Sequence, residues 1–391
     1  MTNYEQGESK KAVCWLSCAH GITDIYSGFL SPLMPFIAVK IGFSLAVATM
    51  VMSVSQALAS TIQPLFGYIA DISKKRSLIF WGLILGALSY PLAANVNSFG
   101  LLCILILLGN LGTSMFHPQA MGLVPYFSNK NSVYNMSIFV TFGTIGFAFG
   151  PIISSSIFQF LGAEKLLFIS CIGLVMAFLM FICVPKIQIT ENAVKNRNIF
   201  SAFRDIFNNK TMLILLTMGL MKTLIQSSCS IMMPFLWKDF GYSPVYIGFS
   251  MFLFLFAGGI GSLLSHRFEK KLGAKFVFYS SMTITFPLMI VYALTYKILP
   301  IFALCVFVAV GFLTAFAQPV TIVMAQKTLP QYKSIVSGII NGFTWGLVAV
   351  LLVILGVVAE RVGIMEILVT LAILPAIASV LVKYLPDKIE E

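Results

Sequence analysis

The sequence predicts an all-α membrane protein, with twelve transmembrane helices in two pseudo-symmetric six-helix bundles. Three observations carry this expectation. Of 391 residues, 59% are hydrophobic and 10% are charged, where a soluble domain carries about a quarter charged residues, and the mean hydropathy is +0.95. Apolar runs of about 20 residues, the length that crosses a bilayer as a helix, recur along the chain. The chain also repeats itself at an offset of 199 residues.

Residues 1–11 are polar, and the apolar stretch after them is too long for the core of a cleaved signal, so it reads as helix 1. The expected spans are 13–37, 45–70, 78–95, 99–126, 134–160 and 165–184, then 211–236, 244–264, 276–296, 300–325, 335–358 and 363–383. The longest gap, 185–210, holds Lys186, Lys195, Arg197, Arg204 and Lys210 against Glu191 and Asp205. It divides the chain into an N-terminal bundle (1–184), a central loop (185–210) and a C-terminal bundle (211–391). Residues 199–210 would form an amphipathic surface helix, with Phe200, Phe203 and Phe207 on one side.

With the N-terminus in the cytoplasm, 19 Lys and Arg fall inside and five outside, and Lys222 lies within a span. Lys and Arg gather in cytoplasmic loops, so both termini are expected there, in a multi-pass protein of the cell (inner) membrane. That placement also accounts for the net charge of +11 without a nucleic-acid partner. The seven cysteines are an odd number without a CxxC pair, so they read as packing residues rather than a disulfide framework. Cys14 and Cys18, near His20, are the one conceivable soft-metal pair; no metal and no cofactor is expected.

The repeat is ordered. Met34-Pro35-Phe36 with Gly42-Phe43-Ser44 matches Met233-Pro234-Phe235 with Gly241-Tyr242-Ser243, His117-Pro118 matches Gln318-Pro319, and Gly143 with Gly146 matches Gly342 with Gly346. Six helices is an even number, so both copies enter the membrane in the same sense, as parallel repeats related by an axis along the membrane normal.

Polar residues run in stripes at helical period: Ser17, His20, Asp24, Ser27 and Ser31 in helix 1, Asn110, Ser114 and His117 in helix 4, Lys222, Gln226 and Ser230 in helix 7, and Thr314, Gln318 and Thr321 in helix 10. Ionisable side chains inside the spans are few: Asp24, Lys222, His20 and His117, with Glu366 near an interface. A charge at mid-bilayer costs at least about 2.5–3.5 kcal/mol, so such residues mark function. Asp24 and Lys222 each lie 11 residues past the start of their span, which suggests a pair across a central cavity. That pair would be either part of the mechanism or a static tie between the halves, and His117 beside Pro118 would be either a site residue or a packing histidine.

Four motifs carry a resemblance: His20-x-x-x-Asp24; Gly112-Thr-Ser-Met-Phe116-His117-Pro118; Gly67-Tyr-Ile-Ala-Asp71 with Lys74-Lys75-Arg76; and Gly146-x-x-x-Gly150-Pro151. On these the chain resembles the major facilitator superfamily over its whole length, and within it the fosmidomycin-resistance proteins, proton-coupled bacterial exporters. The third motif departs from the superfamily pattern at Ile72 and Lys74, and its second-half counterpart of Asp71 is Ser265; the fourth has Ser154 and Ser155 where glycines are usual. In the resembled fold, helices 1, 4, 7 and 10 line the central cavity.

The resemblance implies a proton-coupled transporter, an exporter (antiporter) of a small anionic or polar compound. Asp24 would carry the proton, with His20 and His117 as partners. Lys222 would attract the substrate, with Gln226, Gln318, Asn110 and His117 hydrogen-bonding it. Gly67, Asp71, Gly146, Gly150 and Pro151 would serve the conformational change. An uptake symporter of the same fold is the alternative. No nucleotide loop, nucleophile motif or metal-ligand cluster supports an enzyme or a receptor. The expected partners are the substrate, protons and the lipid bilayer, and the expected state is a monomer.

Overall fold

The computed structural model describes residues 9–30, 33–43, 45–72, 77–128, 131–185, 199–242 and 244–386. It is all-helical among these. The first half contains α1 (Lys10–Ser27), α2 (Met34–Ile41), α3 (Leu45–Ile72), α4 (Ser77–Ala93), α5 (Phe99–Leu123), α6 (Ser132–Leu161) and α7 (Ser170–Cys183). A short α8 (Ile199–Asn208) leads into α9 (Lys210–Asp239), α10 (Pro244–Thr283), α11 (Thr285–Thr295), α12 (Pro300–Phe316) and α13 (Gln318–Thr328). The chain ends with α14 (Lys333–Ser337), a π-helical turn at Gly338–Phe343, α15 (Thr344–Val362) and α16 (Ile364–Ser379). The basic run Lys74-Lys75-Arg76 and residues 186–198 of the central loop lie outside the described residues.

Eight helical stretches among the described residues are long and apolar enough to cross a membrane. One of them, Phe249–Thr295, covers two expected spans. Its first helix turns back at Gly273, whose φ of +83° is a left-handed conformation that glycine adopts without a Cβ penalty. Ser77–Ala93 is apolar but shorter, and the expected span 13–37 is shared by α1 and α2. Other breaks follow proline: Pro287 and Pro319 each lack an N–H near the start of α11 and α13. The repeat reaches the backbone, since Gly42 (+89°) pairs with Gly241 (+76°), and Gly162 (+90°) with Gly363 (+106°), all at positive φ.

The buried apolar residues are arranged unevenly. Toward the end of the bundle that holds Ser9, Asp71 and Lys333, here the basic face, one core runs through both halves and joins Leu16, Met121, Phe139 and Ile206 to Met212, Phe278, Val320 and Ile335. Toward the opposite face the core divides. One cluster, with Tyr26, Phe29, Tyr90 and Leu166, belongs to the first half alone; the other, with Trp237, Phe254, Tyr292 and Leu368, belongs to the second. Among the described residues, the buried apolar core is therefore continuous across the halves at the basic face and divided between them at the other. On the perimeter large apolar side chains such as Phe160, Phe181 and Ile301 stand exposed, an outer surface suited to hydrocarbon rather than water.

Candidate functional site

The first cluster is built on α1, α5 and α6. His20 and Asp24 are one turn apart on α1, and the His20 Nε2 lies 3.3 Å from Asp24 Oδ2. His117 reaches from α5, donating from Nε2 to Asp24 Oδ1 at 3.0 Å. The other His20 nitrogen, Nδ1, is 2.7 Å from the Phe139 carbonyl of α6, and the ring stacks on Phe139 at 4.1 Å between centroids. Both histidines are buried. The ligand-type atoms of His20, Asp24 and His117 lie within 4.8 Å of one another, compact enough for an ion, but the three groups already satisfy one another as donors and acceptors. The structure thus brings together the three residues that the sequence reading grouped around the proton, although His117 is 93 residues from Asp24. Cys14 and Cys18 neighbour each other rather than the cluster.

Asp24 and Lys222 do not pair. The ion pairs of Asp24 are with the two histidines, and none joins it to Lys222. Equal depth in two spans does not fix the direction in which each helix turns its side chain, and a closer pair of imidazoles takes the carboxylate.

Lys222 instead lines a second site, a small cavity in the C-terminal half. Around it stand Thr223 and Gln226 of α9, Gln318 and Thr321 of α13, and Asn341 and Trp345 of the last spans. Gln318 donates to Asn341 Oδ1 at 3.0 Å, which fixes both amides on the cavity wall. Lys222 is buried and has no hydrogen bond or ion pair to a protein group among the described residues. The structure thus gathers Lys222, Gln226 and Gln318, and adds Asn341 from the π-helical turn. A lone amide in the apolar run 335–358 was the available signal for it. Asn110 and His117 are not at this cavity. The Asn110 amide is occupied on both sides, accepting from Tyr90 at 2.7 Å and donating to Ser55 at 3.0 Å.

Two polar seams join the halves, and Gly67 and Asp71 belong to the first. In the first, Asp71 accepts backbone N–H bonds from Ser334 (3.0 Å) and Ile335 (2.9 Å), capping the start of α14 across the halves. Gly67 permits this approach, since a Cβ there would lie 2.6 Å from the Ile335 Cα. Lys333 stacks over Tyr126 at 4.3 Å; burial lowers its ammonium pKa from the ordinary lysine value, against which Asp71 acts. In the second seam, Ser265 meets Ser137 at 3.0 Å and Thr141 donates to the Gly259 carbonyl at 3.0 Å. Gly146 and Gly150 serve neither seam. They seat α6 on α1, where their missing side chains admit the Gly21 and Ile25 carbonyls, and Pro151 follows them within α6. Glu366 is exposed near the start of α16.

A family model described as Major Facilitator Superfamily matches residues 16–353. The chain is 25% identical over 384 residues to the fosmidomycin resistance protein of Escherichia coli (strain K12), covering 95% of this chain and 92% of that protein. Among solved structures it is similar to FucP, an E. coli fucose:proton symporter, in the outward conformation. That match has a TM-score of 0.77 at 14% identity, covering 96% of this chain and 99% of the other. The human organic anion transporter MFSD10 matches with a TM-score of 0.71 at 14% identity, over 95% of this chain and 99% of the other.

Proposed function

From the premise that this chain belongs to the Major Facilitator Superfamily, and is therefore a multi-pass membrane transporter of small molecules rather than an enzyme, we propose that it is a proton-coupled exporter of a small anionic or polar compound. The observation that carries the reading is the separation of two buried polar sites. Lys222, unpaired in an amide-lined cavity, supplies a cation that an anionic group would complete. His20, Asp24 and His117 form a self-contained proton-binding cluster in the other half. A buried charge without a partner is costly in a membrane, and a bound anion removes that cost.

The topology belongs to the same proposal: twelve spans, bundles at 1–184 and 211–391 joined by 185–210, both termini cytoplasmic, and a monomer in the inner membrane. The basic face is then the cytoplasmic one, and the continuous core there supports reading this as the outward-directed state. Relatedness to a fosmidomycin resistance protein supports export, whereas the fucose:proton symporter of the same fold supports a symport alternative. The test is counterflow of a phosphonate or carboxylate substrate in proteoliposomes with an imposed pH gradient. Movement of substrate against the proton flux establishes exchange; movement with it establishes symport, and no response to the gradient removes proton coupling.

A further inference from the structure

His20 is held by two acceptors. Its Nδ1 faces the Phe139 carbonyl at 2.7 Å, and a carbonyl oxygen can only accept, so Nδ1 carries a hydrogen. Its Nε2 faces the Asp24 carboxyl at 3.3 Å. A bare Nε2 lone pair against an ionised carboxylate would be repulsive, so this arrangement favours a second proton on Nε2 or on Asp24. His117 meets the other Asp24 oxygen with its own N–H. With that proton the cluster holds one more than two neutral imidazoles and a carboxylate, and its net charge is zero.

That count depends on where the His20 ring lies, and the ring position depends on a residue with no polar chemistry. A Cβ built at Gly143 of α6 would stand 2.7 Å from His20 Nδ1 and 2.5 Å from Nε2, and closer still to the carbon between them. Resting on the proton-coupling reading above, we infer that Gly143 is a positioning residue of the proton site: its missing side chain lets His20 lie flat on Phe139 and span the Phe139 carbonyl and Asp24 together. The groups facing His20 are accounted for helix by helix. Asp24 comes from α1 itself, His117 and Phe116 from α5, and Phe139 and Gly143 from α6. On α4, the Tyr90 phenol lies within electrostatic reach of Asp24, and α7 reaches α1 at Tyr26 through Gly173. None of these can replace the Phe139 carbonyl if the ring is displaced.

The experiment compares Gly143→Ala with Gly146→Ala in proteoliposomes, reading gradient-driven transport across pH together with substrate binding at fixed pH. Both variants crowd the α1–α6 contact, but a Cβ at 146 meets the Gly21 backbone and not the histidine. Gly143→Ala should move the pH midpoint of transport downward by about one unit, because weaker proton holding demands about tenfold more protons, with binding within twofold of wild type. Gly146→Ala should leave the midpoint in place. A Gly143→Ala profile that superimposes on wild type, or an equal shift in Gly146→Ala, overturns the assignment. If Gly143→Ala does not survive purification, NMR of the ¹⁵N-histidine, ¹³C-aspartate wild-type protein decides. A neutral His20 beside an ionised Asp24 refutes the proton count, while a doubly protonated His20 or a protonated Asp24 upholds it. Asp24→Asn, run alongside, separates the failures: if it retains gradient drive, the coupling reading falls, and if only the Gly143 profile is unchanged, this inference alone falls.

Discussion

Removing the Asp71 carboxylate should open the basic face. Its two oxygens accept the first N–H groups of α14 from across the halves, at 3.0 and 2.9 Å. Hydrogen bonds to a charged group contribute roughly 1.5–3 kcal/mol each. In the open state, water satisfies the same groups, so the net bias toward the sealed state lies at the low end of that range. Asp71→Asn keeps one oxygen acceptor and loses the charge, and should shift the sealed-to-open ratio by about 1.5 kcal/mol, near tenfold. Asp71→Ala loses both acceptors and should shift it by about 3 kcal/mol, on the order of a hundredfold. The reporter is Ser334→Cys, buried at the seam, in a background without the native cysteines. Its alkylation by an impermeant maleimide is timed in inside-out vesicles. Rates should rise in the order Asp71, Asn, Ala. A rate for Asp71→Ala within twofold of the parent would refute the argument that this cap holds the seam.

Asp24→Asn should abolish transport driven by a pH gradient while preserving substrate binding, and gradient-driven flux at the wild-type rate would remove Asp24 from the mechanism. Lys222→Ala should weaken binding of an anionic substrate by tenfold or more, read by isothermal titration, with little loss of thermal stability; a collapse in stability with unchanged affinity would make Lys222 structural. Gly112→Ala places a Cβ 2.7 Å from the Gly82 carbonyl and 2.8 Å from the Gly86 nitrogen, so the backbones of α4 and α5 must part at a cost of about 1–3 kcal/mol. An unchanged melting temperature in detergent would contradict that. Cysteines at Lys271 and Lys297 should be labelled from opposite sides of the membrane, the first from the cytoplasm, and labelling of both from one side would reverse or break the topology.

The sequence made the helices legible because bilayer thickness imposes length and hydropathy on each span, and it made the two-fold repeat legible through Gly42 and Gly241, whose positive φ recurs at an offset of 199. Lys222, Gln226 and Gln318 could be placed together because polar residues on cavity helices have few other reasons to persist. The absence of an Asp24–Lys222 pair could not be read. The histidines and Lys222 were all available to Asp24, and the choice depends on how α1, α5 and α6 rotate about their axes. That rotation is set by close contacts such as Gly143 with His20, in which the informative residue is the one lacking a side chain. Helical periodicity likewise spoke for Asn110 as a ligand, whereas Tyr90 and Ser55 occupy it.

The two seams are unequal, and that inequality gives the opening motion a direction. Where α3 meets α14, a charged carboxylate grips two backbone donors; where α6 meets α10, the corresponding position is Ser265, and neutral hydroxyls face each other. Charge-assisted bonds are roughly twice as strong as neutral ones. A load spread over both edges would therefore part the α6–α10 edge first, with the α3–α14 edge acting as the hinge side of a door. Cargo would enter asymmetrically, past Ser137 and Ser265, before the carboxylate lets go.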